Sequence, residues 1–182
     1  MKSLETERLV LRKLRESDFD AIHSYASCLE NLIYMPFGPN TGQETRNFIK
    51  LAISLAEEDP IKLYQFAVVL KETDSLIGGC SIGSANNTSI GWLLHRDYWR
   101  QGYGYELARE LLRFGFEELN LHRIRATCDA ENVASYSLME KIGMRREALF
   151  IESNPPSKLS DKQYSDELVY AILKREWEGQ YI

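Results

Sequence analysis

Hydrophobic and polar residues in the first third of the chain follow a pattern that predicts one strand and two helices. Leu9–Leu11 form a short apolar run, which is typical of a strand. The stretch Ser17–Asp20 is similar to a capping box and predicts a helix that starts there and runs into the thirties. Proline and glycine residues between 36 and 42 break this helix, and Thr41–Glu44 offers a second capping box. The second helix is expected to end before Pro60.

The centre of the chain is rich in β-branched and aromatic residues. Tyr64–Lys71 and Leu76–Ile82 are predicted strands, and the polar segment Glu72–Ser75 between them is typical of a hairpin turn. Ser89–Leu94 is a third such run. The three segments therefore predict an antiparallel meander.

Helical and strand patterns alternate in the remainder of the chain. A helix face is predicted over residues 107–115, a strand over Arg123–Cys128, and a short helix over Ala134–Ile142, which Gly143 ends. Arg146–Phe150 and Glu167–Leu173 are expected to form a strand pair. This order of elements predicts an α/β (α+β) fold, in which a mixed sheet carries helices on its faces.

Composition sets limits on the function. The chain has 182 residues, 44% of them hydrophobic, which suits a single domain over residues 1–182. Its net charge of −5 argues against nucleic-acid binding through the phosphate backbone. The chain has no apolar run long enough to span a bilayer, and its charged start differs from a secretory signal, so we expect a cytoplasmic protein without membrane contact.

Cysteine and histidine spacing argues against metal and disulfide chemistry. Cys28, Cys80 and Cys128 are odd in number and far apart, and the three histidines show no ligand spacing such as HExxH. We therefore expect no metal site, and we interpret the cysteines as small apolar core residues.

The first segment with candidate chemistry runs from Trp92 to Ala108, where a strand leads through Gly102-x-Gly104 into an amphipathic helix. Glycines let a backbone approach an anion, and the N–H groups of a first helical turn bind phosphate. No Gly-Lys-Ser/Thr follows and a third glycine at Rossmann spacing is absent, so neither of those nucleotide motifs applies. A plain strand-to-helix turn is the alternative.

The second segment, Asp129–Met144, follows a strand and covers the short helix. Asn132 and Ser135 are its candidate binding residues. Helix capping by Asn132 is the alternative explanation.

In this order, the motifs resemble the GCN5-related N-acetyltransferase (GNAT) superfamily, in particular its RimJ/RimL-like branch of ribosomal-protein N-terminal acetyltransferases. The resemblance covers nearly the whole chain. The residues that carry it are Leu4–Arg12, Ile77–Gly79, Ile90–Trp92, Tyr98–Glu106, Asn132-x-x-Ser135, Glu140–Gly143, Asp166-x-x-x-Tyr170 and Glu176-Trp177.

The resemblance implies a mostly antiparallel central sheet of about seven strands, helices on both faces, and a splayed wedge between two central strands that holds acetyl-CoA. A main-chain amide near Leu94 would stabilise the developing oxyanion, and Ser135 would donate a hydrogen bond to the leaving thiolate. The implied cofactor-binding residues are Leu93, Leu94, His95, Arg100, Gln101, Gly102, Tyr103, Gly104, Tyr105, Asn132 and Ser135.

Two positions depart from other branches of that family. Met139 stands where a tyrosine acid is found, so Ser135, or less favourably Tyr136, is the candidate group at the leaving thiolate. Ser89 stands where many relatives carry a glutamate base. An α-amine has a pKa of about 8 and a lysine amine one of about 10.4, so an acceptor with a low pKa needs less help from a base.

We therefore expect an acetyl-CoA-dependent N-acetyltransferase that acts on a protein N-terminal α-amine. The alternatives are a small amine as acceptor, a base supplied by His95, Glu152 or Asp166, and a non-catalytic acyl-CoA-binding module. Acceptor-lining elements are expected around Met35–Phe37 and Phe150–Gln163, and relatives of this kind are often homodimers.

Overall fold

Eight strands and five helices follow one another in a computed structural model that describes residues 1–84 and 88–179. The predicted domain, 1–182, also includes residues 85–87 and 180–182, which lie outside the described residues. The strands are β1 (Leu4–Glu5), β2 (Leu9–Lys13), β3 (Leu63–Leu70), β4 (Ser75–Gly83), β5 (Ile90–Leu94), β6 (Arg123–Asp129), β7 (Arg145–Asn154) and β8 (Ser165–Leu173). The helices are α1 (Phe19–Ala26), α2 (Gly42–Leu55), α3 (Tyr103–Arg113), α4 (Val133–Lys141) and α5 (Lys174–Glu178). Shorter 3₁₀ turns cover Glu16–Asp18, Leu29–Leu32 and Arg96–Tyr98, and a π-helical turn, Phe114–Glu118, continues α3.

The strands form two antiparallel sheets, with orders β1-β2-β3-β4-β5 and β6-β8-β7. A parallel bridge between Ser89 and Arg125 joins them, and the Arg125 N–H donates to the Thr88 carbonyl at 2.9 Å. The predicted mostly antiparallel α/β fold is confirmed. The described residues contain eight strands rather than about seven, because β1 has only two residues and shows no recognisable strand pattern in the sequence. These strands form two sheets rather than one.

The bridge lies at the beginning of β5 and within β6. Among the described residues it is the one ladder contact between these two strands, which are joined through α3. The edge of β5 that faces away from β4 is therefore open from Ile90 to Leu94, and it forms one wall of a wedge between the sheets.

Alternating residues of β3 supply two separate cores. Phe66 and Val68 point to one face, where α3 contributes Leu107 and Leu111. Ala67 points to the other face and packs with apolar residues of α1 and α2, namely Ile22, Ala26, Ile49 and Ala52. The prediction of helices on both faces is confirmed.

The first helix differs from its prediction. It ends at Ala26 instead of continuing into the thirties, and the Ser27 hydroxyl donates to the His23 carbonyl in its last turn. The capping box predicted at Ser17–Asp20 is wrong, because Asp18 accepts from the Arg15 N–H and pairs with Arg12 at 2.7 Å.

Two other local signals are confirmed. Thr41 and Glu44 form a reciprocal capping box at the start of α2. Gly143 adopts φ = 89° just after α4, a left-handed conformation in which glycine carries no Cβ penalty.

Candidate active site in the wedge between the two sheets

The open edge of β5 presents one main-chain donor near its end. The His95 N–H donates to the Ile77 carbonyl at 2.8 Å, inside the sheet. Leu93, two residues earlier and opposite Gly79, has the same orientation because groups alternate along a strand. The N–H groups of Leu93 and His95, two of the implied cofactor-binding residues, therefore point into the sheet and cannot pair with a cosubstrate in the wedge, whereas the N–H of Leu94 faces the wedge.

The carbonyl of Leu94 is held by two side chains. Asn31 Nδ2 and Trp99 Nε1 each donate to it at 2.8 Å. Asn31 is buried, and its Oδ1 also accepts from the Arg96 N–H at 3.2 Å. These bonds fix the peptide at the end of β5 and tie the Leu29–Leu32 turn to it.

The predicted glycine turn leads directly into α3. Arg100 and Gly102 both have positive φ, at 59° and 85°, and Gly102 is the helix N-cap. The first intrahelical bond runs from the Glu106 N–H to the Gly102 carbonyl at 3.1 Å. The N–H groups of residues 103–105 therefore precede the helical ladder and point out of the helix end, which is an arrangement suited to an anion.

Helix α4 forms the other side of the wedge. Asn132 caps this helix, because its Oδ1 accepts from the Ser135 N–H at 3.1 Å. The Ser135 hydroxyl lies beside Cys128 of β6; burial raises the pKa of this thiol to about 11, although the hydrogen bond with Ser135 opposes the rise. Tyr136 packs against the core, and Met139 is fully enclosed in it.

The first turn of α3 lies against α4. A Cβ placed on Gly104 would be 3.2 Å from Leu138 Cδ2, and Lys141 Nζ lies 4.9 Å from the centre of the Tyr105 ring. The turn and the Asn132/Ser135 helix, predicted from separate motifs, are thus neighbours.

Two of the three candidate bases are adjacent. The Glu152 N–H donates to Asp166 Oδ1 at 2.8 Å, and both residues line a cavity of about 220 Å³. The cavity is strongly acidic; its other lining residues include Asp129, Glu131 and Lys162. His95, the third candidate, accepts from the Asp97 N–H through Nδ1.

The expected acceptor-lining loop, Phe150–Gln163, contacts the turn just before the other expected element, Met35–Phe37. The buried Ser157 hydroxyl, in the loop between β7 and β8, donates to the Leu32 carbonyl at 3.0 Å. On either side of this bond, Ile33 is 50% exposed and Leu159 is 41% exposed. Asn31 joins the same turn to the Leu94 carbonyl at the end of β5, so these exposed apolar side chains belong to segments that are connected to that strand end.

Three residues have clear structural roles here: Asn31 and Trp99 were not among the predicted site residues, and Ser157 was predicted only as part of the segment Phe150–Gln163. Each binds main chain that is distant in sequence or beyond a turn, so no local pattern indicates it. Within residues 1–84 and 88–179, no cluster of three potential metal ligands is present, and the three cysteines are free. No helix in that part of the chain has the length and apolar character needed to cross a membrane.

Residues 8–145 match the acetyltransferase (GNAT) domain family. A relative from Bacillus subtilis, the uncharacterized N-acetyltransferase YnaD, is 35% identical over 96% of this chain and 98% of its own length. The chain belongs to the GNAT family. This GNAT protein is accordingly an N-acetyltransferase with acetyl-CoA as its cosubstrate, and the alternative of a non-catalytic module is set aside.

Solved structures agree with this assignment. A GNAT-family acetyltransferase from Bacillus anthracis superposes with a TM-score of 0.82 at 36% identity, covering 96% of this chain and 99% of the other. RimL, a ribosomal L7/L12 alpha-N-protein acetyltransferase in complex with coenzyme A, gives a TM-score of 0.79 at 18% identity, covering 94% and 98%. At that identity, the likeness to RimL shows the fold alone.

The residues of this GNAT enzyme fit its cosubstrate. The turn at Gly102 offers N–H groups that precede the helical ladder, and the open edge of β5 offers the Leu94 N–H. A pyrophosphate and an extended amide-containing arm require donors of these two kinds.

Proposed function

We propose that this enzyme acetylates the N-terminal α-amine of a polypeptide. The observation that carries the proposal is a set of exposed apolar side chains, among them Ile33, Phe37 and Leu159, on two segments that the Ser157–Leu32 hydrogen bond holds together. Exposed apolar side chains around a site are typical of surfaces that bind another protein.

The cosubstrate would lie in the wedge. Its pyrophosphate would accept from main-chain N–H groups of the turn, Arg100–Tyr105, which includes Gln101, Tyr103 and Gly104. Asn132 and Ser135 would line the opposite wall. Bound acetyl-CoA supplies an acetyl group activated as a thioester. The protein contributes position, because the donors are held by the sheet and by a helix terminus before any ligand arrives.

Two residues would act at the reacting atoms. The Leu94 N–H is the donor that would stabilise negative charge on the acetyl oxygen, since its peptide belongs to a strand end fixed by Asn31 and Trp99. Ser135 would donate to the departing sulfur; its neighbour Cys128, with a pKa raised to about 11 by burial, stays a neutral thiol at pH 7.

The charge of the cavity to which Glu152 and Lys162 of the expected acceptor-lining segment contribute favours a cationic group. Asp129, Glu131, Glu152 and Asp166 line one cavity, with Lys162 paired to Glu131 at 2.6 Å. The position of the usual glutamate base holds Ser89, which lies in the bridge to Arg125. An α-amine, with a pKa of about 8, is partly unprotonated at neutral pH and has the least need of that base.

A peptide panel tests the proposal. The substrates are a lysine-free peptide with a free N-terminus and the same peptide Nα-acetylated with one internal lysine. The release of free coenzyme A thiol is followed at pH 7.5, and mass spectrometry locates the acetyl group. We expect turnover with the free N-terminus and at least about tenfold slower turnover with the lysine peptide, because fewer lysine amines are unprotonated.

Equal turnover of the two peptides would contradict the α-amine proposal. The cavity of about 220 Å³ with its carboxylates is the specific observation that favours a second candidate, a small polyamine acceptor. Spermidine is therefore the third substrate in the panel. Turnover of spermidine alone would assign the enzyme to small amines.

A further inference from the structure

Arg8, immediately before β2, contacts the glycine turn at the start of α3. Its Nη1 donates to the Gln101 carbonyl at 3.0 Å, and its guanidinium lies 4.5 Å from the centre of the Tyr103 ring. A Cβ on Gly102 would lie 3.2 Å from Arg8 Nη2. One side chain therefore contacts the residues before and after the N-cap of α3 and lies where a side chain at the N-cap itself would project.

The conformation of this turn needs such support. Arg100 carries a side chain and yet has φ = 59°, and Gly102 follows with φ = 85°. Left-handed conformations of non-glycine residues cost about 1–3 kcal/mol and persist where surrounding contacts determine them. Arg8 supplies two of these contacts, to the carbonyl of Gln101 and to the ring of Tyr103.

Arg8 also pairs with the carboxylate of Glu106. This carboxylate lies in the first turn of α3, close to where an anionic ligand would bind. Arg8 Nε donates to Glu106 Oε2 at 2.7 Å and the Arg8 N–H to Oε1 at 2.7 Å, while the Thr6 hydroxyl also donates to Oε1. Burial alone would raise the pKa of Glu106, but these hydrogen bonds lower it below its ordinary value, so the group is ionised at neutral pH.

We propose that Arg8 is a positioning residue for acetyl-CoA. It holds residues 100–105 in the anion-binding conformation and neutralises Glu106, which would otherwise repel the pyrophosphate. The proposal rests on the proposed assignment of this turn to the cosubstrate. No sequence-based expectation gave Arg8 a role, although it belongs to the Leu4–Arg12 motif.

Four variants of the full chain test the inference: Arg8→Ala, Arg8→Lys, Glu106→Gln and the double variant Arg8→Ala/Glu106→Gln. Calorimetry gives the Kd for acetyl-CoA, and thiol release with a peptide acceptor gives KM and kcat. Loss of a charged hydrogen-bonding group predicts that Arg8→Ala raises Kd and KM about tenfold or more. The kcat should change less than about threefold, because positioning of the pyrophosphate affects binding in ground and transition states alike.

The other variants separate charge from shape. Arg8→Lys keeps the charge without the planar fork and should lie between wild type and Arg8→Ala. The double variant should bind acetyl-CoA more tightly than Arg8→Ala, because the unpaired carboxylate is gone. Glu106→Gln alone should bind at least as tightly as wild type.

Arg123→Ala is the matched control. Arg123 also pairs with a glutamate, Glu147, and its side chain is 37% exposed against 40% for Arg8, but it lies in the second sheet. We expect this control to leave Kd unchanged. Circular dichroism and the thermal midpoint identify any variant that fails to fold.

Different results would refute the role of Arg8 and the assignment of the glycine turn as the pyrophosphate site. Arg8→Ala binding acetyl-CoA as wild type does would refute the role of Arg8, and a double variant no tighter than Arg8→Ala would refute neutralisation of Glu106. Gly104→Trp places a large side chain at the same turn, against Leu138. If Gly104→Trp binds normally, the turn itself is not the pyrophosphate site.

Discussion

Gly78 controls the position of the end of β5. It lies in β4 opposite Leu94, and a Cβ built on it would be 2.3 Å from the Leu93 carbonyl oxygen and 2.8 Å from Leu94 Cα. Both atoms belong to the main chain, so no side-chain rotation can relieve the clash. Gly78→Ala must therefore displace the strand end that carries the Leu94 N–H.

The size of the displacement follows from contact distances. A carbon and an oxygen normally approach to about 3.3 Å, so β5 must move by about 1 Å. Overpacking of this kind destabilises by about 1–3 kcal/mol, offset in part by the 0.5–1 kcal/mol that a strand gains when alanine replaces glycine. A misplacement of about 1 Å at a catalytic group lowers rates by about 100-fold.

Gly79 provides a matched control in the same strand. A Cβ there would point to the opposite face, 3.1 Å from Tyr25 Oη and 3.5 Å from the Phe66 carbonyl oxygen. A hydroxyl at the end of a side chain can yield by a few tenths of an ångström. We expect Gly79→Ala to change the free energy of unfolding by less than about 1 kcal/mol and kcat by less than about threefold.

Urea unfolding and thiol release measure the two effects separately. After the offset, Gly78→Ala should lower the free energy of unfolding by about 0.5–2 kcal/mol, and it should lower kcat by about 10–100-fold in protein that remains folded. The reasoning is refuted if the two alanine variants are equally active, because the clash at Leu93 and Leu94 would then have no effect on the chemistry.

Two further predictions concern side chains. Ser135→Ala should lower kcat about tenfold with the acetyl-CoA Kd within about twofold, and the exposed Ser137 on the same helix provides the control variant; an unchanged kcat removes Ser135 from the chemistry. Hydrogen bonding to Arg123 lowers the pKa of Glu147 from 4.5 to about 2, so its stabilisation is present above pH 4.5 and is lost as the pH falls towards 2. Glu147→Gln should therefore reduce the free energy of unfolding by about 0.5–1 kcal/mol at pH 7 and by clearly less at pH 2, where about half of the carboxyl groups are protonated; a difference that is undiminished at pH 2 would contradict the ion-pair explanation.

Signals confined to a few neighbouring residues predicted the fold well. The capping box Thr41–Glu44 and the glycine at 143 act within one helical turn, and both occur as expected. The continuous apolar run Phe66–Leu70 is buried in β3, because apolar cores lie on both faces of this strand. Such predictions are correct because no tertiary contact of these residues opposes their local preference.

A local signal failed where a residue beyond the helix recruited a member of the motif. The capping box expected at Ser17–Asp20 does not form; Asp18, within that stretch, accepts from the Arg15 N–H and pairs with Arg12 through two nitrogens at 2.8 and 2.7 Å, and this pair is largely buried. A buried carboxylate without a partner would be costly, so the pair outweighs capping.

The candidate site shows the same division. Sequence motifs indicated the turn at Gly102 and the residues Asn132 and Ser135, because the groups that form a helix terminus are close together in the sequence. The contacts of Leu94 with Asn31 and of Leu32 with Ser157 join residues separated by 63 and 125 positions. A single sequence does not indicate which distant residues come into contact, so these two contacts could not be predicted.

The net charge of −5 does not conflict with an anionic cosubstrate. At the glycine turn, main-chain N–H groups, the helix dipole and Arg8 act within a few ångströms, whereas the surplus carboxylates are distributed over the surface and screened beyond about 10 Å. Even Glu106, the closest carboxylate in this turn, is matched by Arg8 at 2.7 Å. Overall charge therefore argues against extended polyanions, which need many cationic contacts, but a single pyrophosphate needs only the donors of one helix terminus.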